Sequence, residues 1–373
     1  MTSELLEVAA TVSATAPATA PAGTAANPVP ARLLSVDGLH VSVGGGGASR
    51  GQRSGDHRGG VEAVTDVSFT IGAGESVGIV GESGSGKTLV CRSVLGVLPQ
   101  GCAITSGQID FDEDELTSLS PRGWRRVRGH KLGAVFQDPA SYLNPSITVG
   151  RQLSEQVRLT QTTSRGGLGR RDARAATIAL LTSVGLRSPG TVYDRFPHEL
   201  SGGMLQRVLI AIAIAGSPKL LVADEATTAL DVAVQAEVLE LLAALRTQYG
   251  LALLLVSHDL AVVAEVCDRV IVLYAGEVVE AGPTAEVVAR PKHPYTEALL
   301  RVASLGNWER RELDVIPGRS PVPGEALAGC RFADRCAYVT EECRAARVEL
   351  TTATDRQVRC VRADVLGLVG VAS

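Results

Sequence analysis

The stretch GESGSGKT, Gly81 to Thr88, follows directly on the apolar run SVGIV, and nothing else in the chain limits its fold as strongly. A spacing of G-x-x-x-x-G-K-[ST] between a strand and a helix gives a loop that can wrap a phosphate. Glycines at 81, 84 and 86 let successive backbone N–H groups turn inward, and the helix that follows points its positive dipole end at the same spot. Ser83 and Ser85 belong to that cradle, Lys87 is placed to reach the β- and γ-phosphates of a nucleotide, and the Thr88 hydroxyl to ligate Mg²⁺. Lysine usage sharpens the reading. The chain has only Lys87, Lys131, Lys219 and Lys292 amid many arginines, yet lysine stands where a compact ammonium is needed rather than a planar fork.

A strand feeding such a loop belongs to a parallel sheet with crossover helices. KLLVADEATTALD supplies a second strand, ending in Asp224 and Glu225. An aspartate at that strand end can hold Mg²⁺, and the carboxylate after it can orient and deprotonate an attacking water. LLSVDGLHVSV and VEAVTDVSFTI alternate apolar and polar residues and are expected as half-buried strands; the Gly-rich 44–60 between them reads as a flexible loop. From about Pro145 to Gly216 the pattern is helical. After LALLLVSH and a helix through DLAVVAEVC comes RVIVLYAGEVVEAG, whose YAGE reads as a hairpin turn, and a region of different character begins at Pro291.

With 373 residues, 45% of them hydrophobic, a substantial core can form without staples. The net charge of -4 arises from mixed signs with no basic block, which argues against nucleic acid as a partner. Residues 1–31, rich in Ala, Thr and Pro, lack the basic and apolar regions of a secretory signal and are expected to be a disordered tail. No apolar run approaches the length of a membrane span. An intracellular address follows as the expectation, and it makes disulfides improbable.

HELSGGMLQR, His198 to Arg207, places Ser201, Gly202 and Gly203 before an apolar helix, a second Gly-rich helix N-terminus able to bind an anion. One nucleotide does not need two. The arrangement resembles the signature motif of ABC-type ATPases, in which two ATP-binding domains face head to tail and each signature covers the γ-phosphate held by the other. Gln137 in VFQDP, Asp231 in TALD and His258 in LLLVSHDL match that family's Q-loop, D-loop and switch histidine, in order. The resemblance implies a mixed-sheet ATPase core over 32–290 with a helical subdomain at about 145–216. It implies that Ser201, Gly202, Gly203 and Gln206 meet the partner's ATP, that Gln137 joins Thr88 and Asp224 around Mg²⁺ and senses the attacking water, that His258 contacts the γ-phosphate, and that Glu225 is the base. Two departures stand out. The position at which the family stacks an aromatic residue on adenine is Val43, and the usual Pro after the catalytic Glu is Ala226.

RPKHPYTEALLRV, IPGRSPVP and GCRFADRC resemble the C-terminal extension of ATP-binding subunits of oligopeptide and dipeptide importers, so 291–373 is expected as a small Cys-containing domain. The resemblance implies peripheral attachment to the cytoplasmic face of the membrane through two permease subunits, a second ATPase subunit of the same or a different chain, and an extracytoplasmic solute-binding protein. A soluble ABC ATPase of another class is the competing reading. Such proteins usually carry tandem domains, coiled-coil insertions or basic arms, and none is visible. Cys330, Cys336, Cys343 and Cys360 are spaced C-x5-C-x6-C-x16-C, wider than paired zinc knuckles. Four thiolates can close on zinc or on an iron–sulfur cluster, or the thiols can simply be buried. Relatives with this tail carry a four-iron four-sulfur cluster, and the resemblance favours that outcome. Cys91, Cys102 and Cys267 are isolated and read as small core or helix residues.

Overall fold

The computed structural model describes residues 32–44, 60–160, 168–227, 231–303, 315–325 and 328–371. The tail 1–31 and nearly all of the Gly-rich loop 44–60 lie outside the described residues. Among those described, β1 (Arg32–Val43) pairs antiparallel with β2 (Val61–Gly72) and β4 (Cys102–Phe111), and β4 with the short β5 (Asp114–Glu115). Burial alternates with a period of two over Thr65–Ile71 of β2, whereas β1 buries four consecutive residues, Leu33–Val36, before its pattern loosens at the bulges beyond them.

The second sheet holds β3 (Ser76–Val80), β6 (Leu132–Val135), β7 (Leu220–Asp224), β8 (Ala252–Ser257), β9 (Arg269–Tyr274), β10 (Glu277–Pro283), β11 (Thr351–Ala353) and β12 (Arg356–Val358), in the order β11-β12-β10-β9-β3-β8-β7-β6. The run from β9 to the edge strand β6 is parallel throughout. Helices cover both faces, so these strands are near-continuous Val, Leu and Ile, and β3, β7 and β8 are buried at every residue. Alternate residues serve two cores: Leu253 and Leu255 pack on one side, Leu254 and Val256 on the other. β10 (Glu277–Pro283) returns antiparallel to β9 through Ala275 and Gly276, both at positive φ, as a two-residue hairpin needs. Gly276 cannot be replaced cheaply, because a Cβ there would lie 2.4 Å from the carbonyl oxygen of Ala63.

Helices Val149–Thr160, Arg170–Ser183, Pro189–Tyr193 and Gly202–Ile214 occupy the stretch read as helical. Val149, Leu153 and Val157 form one buried stripe, and Ser154 joins Thr177 and Tyr193 in a hydroxyl cluster at 2.8 and 3.0 Å inside the packing.

The small Cys-containing C-terminal region expected over 291–373 attaches to the ATPase sheet through strands of its own. β12 (Arg356–Val358) pairs with β10, and β11 (Thr351–Ala353) with β12, so the extension lengthens the ATPase sheet. Tyr295, on the helix Pro294–Val302, packs tilted and Phe332 packs edge-on against Tyr274 of β9, at ring-centroid distances of 4.6 and 5.2 Å, and both share its core. A segment with so few apolar residues of its own gains burial only by joining an existing core. Cys91 and Cys267 are core residues as expected, while Cys102 opens a strand and is half-buried.

Candidate nucleotide and magnesium site

The carboxyl ends of β3, β8, β7 and β6 lie side by side, and each delivers one of the motifs. Val80 stands opposite Ser257, Asp224 opposite Val256, and Val135 opposite Ala223. Gly81, His258, Glu225 and Gln137 therefore leave one edge of the sheet together, the edge at which open α/β folds take their ligands. A cavity of about 440 Å³ opens there. Ser83, Gly84, Gly86, Lys87, Thr88, Gln137 and Glu225 supply the lining expected to meet a nucleotide, and Val43, Ala63, Leu89 and Pro323 complete it. Its volume falls within the range typical of small-molecule sites.

Lys87 is 4% exposed on its side chain and donates from Nζ to the carbonyl oxygens of Gly81 at 2.8 Å and Glu82 at 3.0 Å. The ammonium thus lies over its own loop. Burial pulls its pKa down, and the nearby charges of Glu225, Asp224 and Glu82 pull it back up. Thr88 Oγ1 donates to Asp224 Oδ1 at 3.4 Å. Burial raises the Asp224 pKa, countered in part by Arg92, whose Nε stands 3.9 Å from Oδ2. Hard oxygen donors from Thr88 and Asp224, with the Gln137 amide in the same cavity, fit Mg²⁺.

Glu225 has φ of +50°, a conformation that costs a non-glycine residue roughly 1–3 kcal/mol. Its amide is held by the carbonyl of Val256 at 3.0 Å, and its carboxylate reaches to 4.0 Å from Lys87 Nζ. The strained backbone turns the side chain toward the loop lysine.

His258 follows β8 on the same edge but is exposed and does not line the cavity. Ser201 accepts from the Met204 amide at 3.4 Å, starting the helix Gly202–Ile214; Ser201 and Gly202 are exposed and stand outside this chain's own cavity. Gln206 departs from the expectation. It is 1% exposed, because it falls on the helix face turned into the core, and so does not share the outward face with Ser201. Asp231 caps the helix Val232–Tyr249, accepting from Val234 at 3.0 Å, while Thr228–Leu230 lie outside the described residues. Sequence reasoning missed Arg92, Pro323 and Glu82. No spacing marks them, since each is defined by what approaches it in space.

Cys330, Cys336, Cys343 and Cys360 line one cavity of about 20 Å³ together with His293 and Phe332. Burial, with smaller contributions from neighbouring thiols, pushes Cys330 up to about 11, and raises Cys336 and Cys360 as well. Unaided, these are neutral thiols. His293 is fully buried and pushed down to about 3 by that burial; its Nδ1 accepts from the Tyr295 amide at 3.0 Å, so the ring proton sits on Nε2, which has no partner among the described residues. Among the described residues no group of three or more His, Cys, Asp or Glu is gathered so as to hold a metal ion.

Comparison with known proteins follows the same division of the chain. Residues 64–228 match the family described as ABC transporter, and residues 279–343 the family described as oligopeptide/dipeptide transporter, C-terminal region. A putative peptide import ATP-binding protein of Brucella abortus is 43% identical over 300 residues, 80% of this chain and 89% of the relative. The dipeptide transport ATP-binding protein DppD of Escherichia coli is 40% identical over 329 residues, 88% of this chain and 96% of that one. Among solved structures, a dimeric post-hydrolysis state of the ATP-binding cassette MJ0796 with ADP and Pi superposes with a TM-score of 0.57 at 26% identity, covering 68% of this chain and 99% of the other. A phosphate loop on the central strand, carboxylates two strands away and relatives matched along nearly their whole length admit one conclusion: the chain belongs to the ABC transporter family, as an ATP-hydrolysing subunit with the oligopeptide/dipeptide-type C-terminal region.

Proposed function

We propose that this subunit powers import of short peptides, working as one half of a head-to-tail ATPase pair docked on two permease subunits at the cytoplasmic face of the membrane. The observation that carries the reading is the division of the site: one set of motifs lines this chain's cavity, whereas Ser201 and Gly202 are exposed outside it, where a second subunit can meet them. The loop amides and Lys87 bind the phosphates. Thr88, Asp224 and Gln137 hold Mg²⁺, which supplies charge neutralisation at the phosphates when bound. Glu225 holds the attacking water and takes its proton, and His258 completes the γ-phosphate contacts once the pair has closed. In this division 32–290, including the helices at about 145–216, is the ATPase unit, and 291–373 is an extension built onto it. The names of the relatives support peptides as the cargo. In cells lacking this chain, uptake of labelled di- to hexapeptides is expected to stop and to return with the wild-type gene; unchanged uptake of every peptide tried would exclude the cargo assignment.

For the four cysteines, the finer reading is an iron–sulfur cluster, with zinc as the alternative. Four thiols lining one cavity, with the partnerless Nε2–H of His293 on a residue of the same lining, are what support a centre there. The dimensions do not fit either group as they stand. Zinc would need its sulfurs at about 2.3 Å from one point, a gathering the described residues do not make, and about 20 Å³ is room for roughly one water. A cluster therefore requires the cysteine loops to part, and no step of ATP hydrolysis is routed through it. Protein purified without air is expected to hold about four irons and four sulfides with broad visible absorption; iron-free, zinc-free protein would leave the thiols as packing.

A further inference from the structure

Glu82, the second residue of the phosphate loop, is held at three points. Its backbone N–H donates to Tyr295 Oη at 2.8 Å. Its carboxylate accepts both arms of the Arg335 guanidinium, at 2.6 and 2.9 Å, and the Ser320 hydroxyl at 2.9 Å. Its carbonyl shares Lys87 Nζ with that of Gly81. Tyr295, Ser320 and Arg335 all come from the C-terminal extension; Arg335 reaches back across 253 residues of sequence.

The guanidinium is itself fixed. Its side chain is 4% exposed, and Nε and Nη2 also donate to the carbonyls of Pro317 and Ile316 at 2.7 and 3.1 Å. A planar fork with its donors committed in this way cannot be replaced by a lysine. Burial opposes ionisation of Glu82, but the hydrogen bonds of Arg335 and Ser320 and the charges of Arg335 and Lys87 outweigh it and hold the carboxyl below its usual range. An ion pair that merely fastened the extension down could end on any acidic residue of the surface. This one ends on the side chain of the residue whose backbone carbonyl also accepts from the phosphate-binding lysine.

We propose that Arg335 and Tyr295 are positioning residues for ATP: by fixing Glu82 from both its amide and its carboxylate they hold the phosphate loop in the geometry that receives the nucleotide, so the C-terminal extension sets this subunit's ATP affinity. The inference rests on the nucleotide-site assignment above and extends it to residues outside the motifs.

The test uses the full chain with its transporter partners, a fluorescent ATP analogue for Kd, and steady-state kinetics for KM and kcat. Tyr295→Phe keeps the buried ring and removes only the acceptor for the Glu82 amide. It is expected to raise Kd and KM for ATP about fivefold, and Arg335→Met about tenfold or more, with kcat at saturating ATP changed less than about twofold. Arg335→Lys is expected to recover only part of the loss. Glu82→Gln combined with Arg335→Met is expected to be no weaker than Arg335→Met alone, since both break one contact. Unaltered Kd in Tyr295→Phe and Arg335→Met, whatever happens to thermal stability, would overturn the proposal, as would a fall in kcat at constant Kd. Lys87→Ala separates the two levels: if it binds ATP as the parent chain does, the nucleotide site itself is misassigned.

Discussion

Replacing Glu225 by Gln is expected to slow ATP turnover by about 10²- to 10⁴-fold while ATP still binds. Gln keeps the size of the side chain and adopts the same left-handed backbone at about the same cost, so the loop between β7 and the next helix should keep its shape. What disappears is, among the described residues of this strand end, the one group beside Asp224 that can take a proton from water. Asp224 is unsuited to replace it, because it faces Thr88 and Arg92 and is only 4% exposed. The consequence is a subunit that binds, closes on its partner and stays closed. Phosphate release measured alongside the mass of the ATP-bound pair checks both halves. Turnover at the parent rate would remove Glu225 from the role of base.

Arg356→Met is expected to cost about 3–5 kcal/mol of unfolding free energy, because it leaves a carboxylate in the interior without its cation. The Glu280 side chain is 0% exposed and Arg356 9%. The same carboxylate accepts the amides of Lys292 at 2.8 Å and His293 at 3.0 Å, so β10, β12 and the start of the helix Pro294–Val302 meet on one group. Denaturant titration measures the loss, and adding Glu280→Gln should return part of it, since the neutral amide removes the buried charge and its one oxygen can still accept from one of the two backbone N–H groups. Burial already raises the Glu280 pKa. With a raised folded-state value the folded protein binds the proton more tightly, so the Arg356→Met penalty should shrink as pH falls from neutral through that value. A penalty independent of pH, or no rescue by Glu280→Gln, would mean that the loss comes from packing of the arginine stem.

The central strands and the phosphate loop were legible because local chemistry dictates them: only glycine suits the positive φ of Gly84 and Gly86, and only a strand buried on both faces reads as SVGIV or KLLVA. YAGE was legible for a similar reason, since the hairpin needs two residues at positive φ. Gln206 was misread because motif spacing says nothing about which face of a helix a core claims. How the extension attaches was not legible, because its contacts are pairings distant in sequence, β12 on β10 and Phe332 on Tyr274, which leave no periodic trace. Arg335 was illegible on the same ground. An arginine beside a cysteine motif reads as a solvated charge until Glu82 is found opposite it.

The long reach from Arg335 to Glu82 also orders events during synthesis. The phosphate loop is made within the first quarter of the chain, but the groups that fasten it are made near the end. Contacts so distant in sequence form late, after the local helices and hairpins. On the proposal above, a nascent or truncated subunit would then carry every nucleotide motif and still bind ATP weakly until the extension has docked on Glu82.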